Sequence, residues 1–432
     1  MITAEENELL TRTGKETPMG QYFRRFWLPA LLSEEVPAPD CPPVEVTIMG
    51  EHLIAFRDTN GEVGLIQPYC PHRQAPLFYG RNEQSGLRCI YHGWKFNVRG
   101  QCVDIPSEAN GEKLKGEVRI TAYPCKEYAG IVWAYLGPKD LPVEFPVFEF
   151  NSLPKNQIYI RKSLLESNYL QNLEGQFDST HIGFLHSFLA RNGSAPAVGG
   201  ISLGNSEAAQ TVLDVIPNME VRETGYGFML AAKRPAAQGR VYCRVTQWLL
   251  PVHTMIANPP GETLLWDAWV PMDDEHTWVY RISYNPWRAI NEKEIFEFNN
   301  AGLMPMSVQN IPGTYLPLRN KRNHYQVDRN LQRSYSYSGI KGNNAQDAAI
   351  MENQGPTPIY DRTKEFLGTS DIGIVMARRR LLKVARDLQE GVEPEPAFDG
   401  DMYNVRPIAV FFDNTNGKAF YEQEEVKKYI HL

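Results

Sequence analysis

A chain of 432 residues, 42% hydrophobic and 22% charged, holds enough apolar material to pack two domains, or one small and one large, and is not disordered by composition. With 44 Lys and Arg against 51 Asp and Glu, the net charge of -7 argues against binding nucleic acid through a broad basic face. The first residues, "MITAEENELLTRTGKE", lack the basic start and apolar run of a signal peptide, no stretch reaches the roughly 18 to 20 apolar residues of a membrane helix, and six cysteines are too few for a disulfide framework, so a cytoplasmic protein without a membrane partner is expected.

In chain order, "TPMGQYFRRFWLPA" (17–30) is rich in aromatic and basic residues and reads as a tie onto a domain surface or a neighbouring chain. From about 40 to 140, short β-forming segments such as "VEVTIMG", "HLIAFRD" and "IVWAYLG" alternate with Gly, Pro, Asn and Asp, which predicts a small antiparallel β domain. The proline-rich "GPKDLPVEFPVFEF" (137–150) marks a boundary, giving domains 1–150 and 151–432. In the second, residues 163–189 read as a helix, 240–258 and 277–287 as strands, and 370–391 as a helix capped by Ser370 or Thr369 and stopped by Gly391, an α+β pattern.

Two short stretches carry chemistry. "YCPHRQAPLFYGRNEQSGLRCIYHGW" (69–94) places Cys70 and His72 in one loop and Cys89 and His92 in another. Two thiolates and two imidazoles suit zinc or an iron-sulfur centre, but zinc fingers generally bring Cys with Cys and His with His, whereas each loop here brings one of each. That mixed arrangement resembles the Rieske [2Fe-2S] centre, and "GQCVDIPSE" (100–108) continues the resemblance. It implies Cys70 and Cys89 on the inner iron and His72 and His92 on the outer. Neither loop has a spare cysteine for an interloop disulfide, which points to the oxygenase branch.

The second stretch, "EGQFDSTHIGFLH" (174–186), contains Glu174, Asp178, His181 and His186; the first three are spaced to share one helix face, and His186 can join His181 on one metal only if the helix loosens near Gly183. Asp-x-x-His-x-x-x-x-His resembles the mononuclear iron motif of the Rieske ring-hydroxylating oxygenases, and "NYLQNLEGQFDSTHIGFLHS" is similar to their phthalate 4,5-dioxygenase type. Non-haem Fe(II) needs two His and one carboxylate. The carboxylate is expected downstream, with Asp347 of "NNAQDAAIMENQGPTPIYDRTKEFLGTSD" favoured over Asp361, which precedes an arginine, and Asp371, which fits a helix N-terminal turn. By the resemblance, Asp178 orients a ligand His and bridges to a Rieske His of the next subunit.

The resemblance implies a helix-grip, START-like catalytic domain after the Rieske domain, a homo-trimer or stacked-trimer hexamer, O2 as co-substrate, and NAD(P)H electrons delivered by a separate flavin and iron-sulfur reductase. It implies cis-dihydroxylation of an aromatic carboxylate such as phthalate, a chlorobenzoate or a related benzoate. A Rieske monooxygenase or O-demethylase is the alternative, and an electron-transfer protein the alternative from another class. A carboxylate calls for a cationic fork in an apolar pocket. Alternation in "GRVYCRVTQWLLPVH" puts Arg240, Tyr242, Arg244, Thr246 and Trp248 on one strand face, which makes Arg244 the candidate, with Ser179 as a hydroxyl donor and His253 as a further wall residue.

Overall fold

The computed structural model describes residues 2–189, 197–198, 211, 216–299, 309–413 and 417–430. The chain divides into two compact units, Thr13–Val143 and a larger one joining Met1–Arg12 to Glu144–Leu432. The first helix, α1 (Ala4–Thr11), thus lies in the larger unit, where sequence reading places it in the first domain. Its C-terminal carbonyls explain why: Leu10 O accepts from the Tyr169 hydroxyl at 2.6 Å and Thr11 O from the Asn168 amide at 2.9 Å.

The smaller unit is made of three antiparallel sheets. In "VEVTI", Val46 and Ile48 are buried and Glu45 is exposed, as a half-buried strand requires. That strand pairs with Glu51–Arg57 through a two-residue turn in which Met49 and Gly50 both take positive φ (52° and 74°), the twist-matched hairpin geometry. Four short strands, Arg81–Asn82, Leu87–Arg88, Lys95–Phe96 and Cys102–Asp104, form a second layer. Ile54, Phe56, Ile66, Leu87 and Phe96 pack into one core that includes Cys70 and Cys89.

The larger unit is built on an eight-stranded sheet. Its strands are β1 (Ile158–Leu165), β2 (Asn218–Thr224), β3 (Gly227–Pro235), β4 (Arg240–Leu249), β5 (His253–Ile256), β6 (Leu264–Pro271), β7 (Thr277–Tyr284) and β8 (Ile408–Asp413). They are ordered β1-β7-β6-β5-β4-β3-β2, and β8 pairs with the first half of β4. The residues of β3 and β4 divide by parity. Met229, Ala231, Cys243 and Val245 pack against Val426 and Ile430 near the C-terminus, while Leu230, Ala232, Arg244 and Thr246 face a cavity. Cross-strand pairs Leu230/Thr246 and Ala232/Arg244 hold that register.

Helices α2 (Tyr169–Phe177), α3 (Asn343–Met351) and α4 (Ile372–Gln389) complete the site's frame. The helix expected over 163–189 is much shorter. Residues to Leu165 belong to β1, whose ladder with β7 runs to Leu165/Thr277, and Asn168 caps α2 by accepting from Leu170 N. Asp178 ends the helix in extended geometry (φ -89°, ψ 107°), so Glu174, Asp178 and His181 do not share a helix face. Helix α4 starts after Asp371, at its N-cap instead of Ser370 or Thr369, and Gly391 follows it with φ +85°. Among the described residues no helix is long and apolar enough to cross a membrane.

Candidate active site

The segment after α2 and the middle of α3 converge on one point. His181 Nε2 lies 3.2 Å from His186 Nε2, His186 Nε2 is 3.2 Å from Asp347 Oδ1, and His181 Nε2 is 3.8 Å from the same oxygen. Cation bonds of about 2.1 Å at right angles set ligands about 3.0 Å apart, and tetrahedral bonds about 3.4 Å, so the two 3.2 Å spacings fit adjacent positions around one ion and the 3.8 Å spacing spans a wider angle.

The hydrogen bonds around them say which atoms face inward. Gln346 Nε2 donates to Ile340 O at 2.8 Å, which leaves Gln346 Oε1 to accept from His186 Nδ1 at 2.6 Å. The His186 proton is therefore on Nδ1 and the lone pair of Nε2 points into the site. Asp178 Oδ2 stands 3.5 Å from His181 Nδ1, an ion-pair distance, while Asp178 Oδ1 accepts from the backbone N-H groups of Thr180 at 2.6 Å and His181 at 3.2 Å. Burial works to raise the Asp178 pKa, but His181 and the two N-H groups outweigh it and hold it down at about 2. Two imidazole nitrogens and a carboxylate oxygen aimed at one point form a pocket for a cation, and two His with one carboxylate is the donor set of non-haem Fe(II).

Sequence reading placed the loosening of the backbone near Gly183; the chain leaves the helix five residues earlier, at Asp178, and His181–Gly183 form a single 3-10 turn. The rival carboxylates are engaged elsewhere. Asp361 caps a short turn, accepting from Thr363 N at 3.0 Å, and pairs with Lys364 instead of the neighbouring Arg362; Asp371 accepts from Gly368 N at 2.6 Å. Glu174 is buried between Arg378 Nε at 2.6 Å and Arg362 Nη2 at 3.1 Å.

The triad opens onto a cavity whose apolar wall includes Ile182, Leu230, Ala232 and Ile256. Arg244 and Ser179 both line it. Arg244 is 5% exposed, and Arg244 Nη2 donates to Ala257 O at 3.4 Å without a carboxylate partner among the described residues. Ser179 O accepts from Arg234 Nη2 at 3.0 Å. His253 is not in the wall; it is buried among Phe148, Trp266 and Tyr403 and stacks on Trp266 at 5.2 Å.

Three neighbours escaped sequence reading. Gln346 directly precedes Asp347, which was a usable signal. Arg234 sits opposite Tyr242 on β3, and burial, with Arg244 nearby, lowers its pKa to about 10. Arg281 lines the cavity and pairs with Asp267, Nε to Oδ1 at 2.6 Å and Nη2 to Oδ2 at 2.9 Å. Each is the one charged residue in an otherwise apolar or neutral strand, "LLWDAWVP" and "TWVYRISY", and the two strands pair at these residues.

In the smaller unit, Cys70 and Cys89 start two loops of the same construction. Cys70 N donates to Ala75 O at 2.9 Å and Cys70 O accepts from Gln74 N at 2.9 Å; Cys89 N donates to Trp94 O at 2.8 Å and Cys89 O accepts from Gly93 N at 3.0 Å. Both loops turn through a positive φ, at Gln74 (55°) and Gly93 (81°), and a Cβ on Gly93 would meet Pro106 Cγ at 2.7 Å. His72 and His92 come together with ring centroids 4.4 Å apart, and Trp94 stacks on His72 at 4.6 Å.

His181, His186 and Asp347 are the one set of three among the described residues with ligand atoms all within 4.8 Å of each other. The Cys/His quartet is not such a set, although a single tetrahedral zinc would require it. Burial, with Cys89 close by, pushes the Cys70 thiol up to about 12, and His72 Nδ1 is buried with no hydrogen-bond partner among the described residues. A buried Cys70 thiol that needs a strong cation to ionise, with an imidazole nitrogen left open, fits a cluster of more than one metal.

Comparison with known proteins shows the family. Residues 26–124 match the Rieske [2Fe-2S] domain family, and residues 134–421 the family described as LigXa C-terminal domain like. The chain is 37% identical over 421 residues to the 3-chlorobenzoate-3,4-dioxygenase oxygenase subunit of Comamonas testosteroni, covering 93% of each chain. It is 38% identical over 405 residues to the phthalate 4,5-dioxygenase oxygenase subunit of Pseudomonas putida, covering 90% of this chain and 88% of that one. A solved structure, the NdmA QL mutant of Pseudomonas putida CBB5 with caffeine, shares the fold at a TM-score of 0.61 and 17% identity, over 91% of this chain and 98% of that one. Likeness over nearly the whole length, through both domains, makes this chain a member of the Rieske non-haem iron ring-hydroxylating oxygenases of the phthalate 4,5-dioxygenase type, an oxygenase subunit whose cofactors are a Rieske [2Fe-2S] cluster and a mononuclear iron.

Proposed function

We propose that this oxygenase subunit cis-dihydroxylates an aromatic carboxylate of the chlorobenzoate or phthalate kind. The observation that carries the reading is Arg244, a buried guanidinium with no carboxylate partner among the described residues, in the apolar cavity onto which the His/His/Asp triad opens. A fork of N-H groups left open in an apolar wall matches a ring acid, and both relatives are named for one.

In this reading His181, His186 and Asp347 hold the iron, while Cys70, His72, Cys89 and His92 hold the cluster. Iron bound at the triad supplies O2 activation for insertion into the ring, and the cluster supplies the electrons. Leu230, Ile256 and Ile182 exclude water and fix the ring plane, Arg244 fixes its carboxylate end, and the Ser179 hydroxyl adds a donor. Gln346 keeps the His186 lone pair on the site, and Asp178 keeps that of His181 there, its other face left for a Rieske histidine of a neighbouring chain. Tyr69, Ile90 and Tyr91, 48%, 62% and 54% exposed beside the cluster loops, favour burial against another copy in a trimer or stacked trimers. A separate reductase provides the electrons, on this reading a flavin and iron-sulfur protein drawing on cytoplasmic NAD(P)H.

The test is turnover of benzoate, chlorobenzoates, phthalate isomers and methoxybenzoates with a surrogate reductase under 18O2. A cis-dihydrodiol carrying two labelled atoms is expected. One labelled atom makes the enzyme a monooxygenase or O-demethylase, and turnover of neutral arenes without any carboxylate overturns the role of Arg244.

A further inference from the structure

A second chamber adjoins the catalytic cavity, and the two share Gly175, Gln176, Arg281, Asn344 and Asp347 in their walls. Asp347 therefore stands between them, on a helix whose Ala348 and Met351 line only the second chamber. Leu165, Trp269, Val279 and Pro317 extend that apolar wall.

Two cations face this space. Arg281 is neutralised by the bidentate pair with Asp267. Arg319 is not: it is partly buried, no carboxylate or hydrogen bond engages it among the described residues, and burial alone lowers its pKa. Asp347 is the only acid among the described lining residues. A guanidinium partly withdrawn from water with no counter-ion costs free energy that an incoming anion offsets, and the apolar wall beside it suits a ring.

We propose that this chamber is an outer binding subsite for the aromatic carboxylate, in which Arg319 pairs with the carboxylate and the apolar wall takes the ring on the way to the catalytic cavity. The inference rests on the aromatic-acid reading of Arg244 and adds a second cationic station. An unpaired cation along the approach also raises capture of anions at low ionic strength.

The test compares the wild-type enzyme, Arg319→Gln, Arg319→Lys and Arg244→Gln as purified, with whichever benzoate the wild type turns over, at low and high NaCl. Retained cluster absorbance and an unchanged melting midpoint certify each variant as folded. The wild-type KM is expected to rise with salt; Arg319→Gln is expected to raise KM roughly tenfold at low salt and to flatten that rise, and Arg319→Lys to restore both. Arg244→Gln is expected to lower kcat as well, because it misplaces the ring at the reacting centre. A folded Arg319→Gln variant with wild-type KM and salt response overturns the subsite and leaves the Arg244 reading standing. If the wild type turns over no carboxylate, the reading fails and the subsite fails with it.

Discussion

The two candidate metal-binding regions are built in opposite ways. The Cys/His loops are short, alike in hydrogen bonding and complete within residues 70–94, each braced by its own backbone. The His/His/Asp site draws on residues 181–186 and 347, and depends on Gln346 and Asp178 to aim its nitrogens. A site made of local turns carries its geometry in its sequence spacing, whereas a site gathered from distant elements borrows its geometry from the packing around it.

The sharpest way to break this contrast is to remove one ligand from each. Asp347→Ala should lose the mononuclear iron and more than about a thousandfold in turnover, with cluster absorbance and sulfide content intact. Cys70→Ser should bleach the cluster while the triad still takes up Fe(II); loss of both centres in either variant would show that they are not independent. Asp178→Asn should retain both metals by analysis and lower kcat about 10- to 100-fold. Full activity there removes Asp178 from the electron path. Gln346→Leu should weaken iron binding about tenfold, read by competition with a chelator, and Gln346→Glu should recover most of it by restoring an acceptor for His186 Nδ1-H.

The last of these effects concerns stability instead of turnover. Burial holds the His253 pKa at about 3, whereas in the unfolded chain the imidazole takes up a proton near pH 6.5. Below pH 6.5 the unfolded state binds more protons, so the His253 contribution is full above that pH and is lost as pH falls towards 3, by up to about 1.4 kcal/mol per pH unit. Urea midpoints measured from pH 7 to 5 should fall more steeply for the wild type than for His253→Phe.

What the sequence reveals follows the same contrast. The Cys-x-His and Cys-x-x-His pairs stand out in the sequence, because two pairs of soft ligands at short range rarely serve another purpose, and their loops share one backbone pattern. The alternation of β4 correctly put Arg244, Thr246 and Trp248 on one face, since a strand of period two in a paired sheet has little freedom to do otherwise. The helix expected over 163–189 begins too early because nothing local separates "SLL" from the helical residues after it, while the conformation of Ser163–Leu165 is set by a ladder to β7 far along the chain. Arg319 went unnoticed for a related reason. Nothing beside it marks a cavity whose other walls come from β1, β6, β7, α2 and α3.

The pairing of Glu174 with Arg362 and Arg378 bears on the order in which the chain is made. When α2 leaves the ribosome, its buried carboxylate has no counter-charge, because both arginines lie almost two hundred residues or more downstream. An uncompensated acid in that position disfavours the packed helix, so proteolysis of ribosome-bound chains should show residues 169–177 protected only after residue 378 has emerged. The loops at Cys70 and Cys89 face no such delay. On the proposed assignment, the Cys/His centre can be assembled early in synthesis, and the His/His/Asp centre waits for the last quarter of the chain.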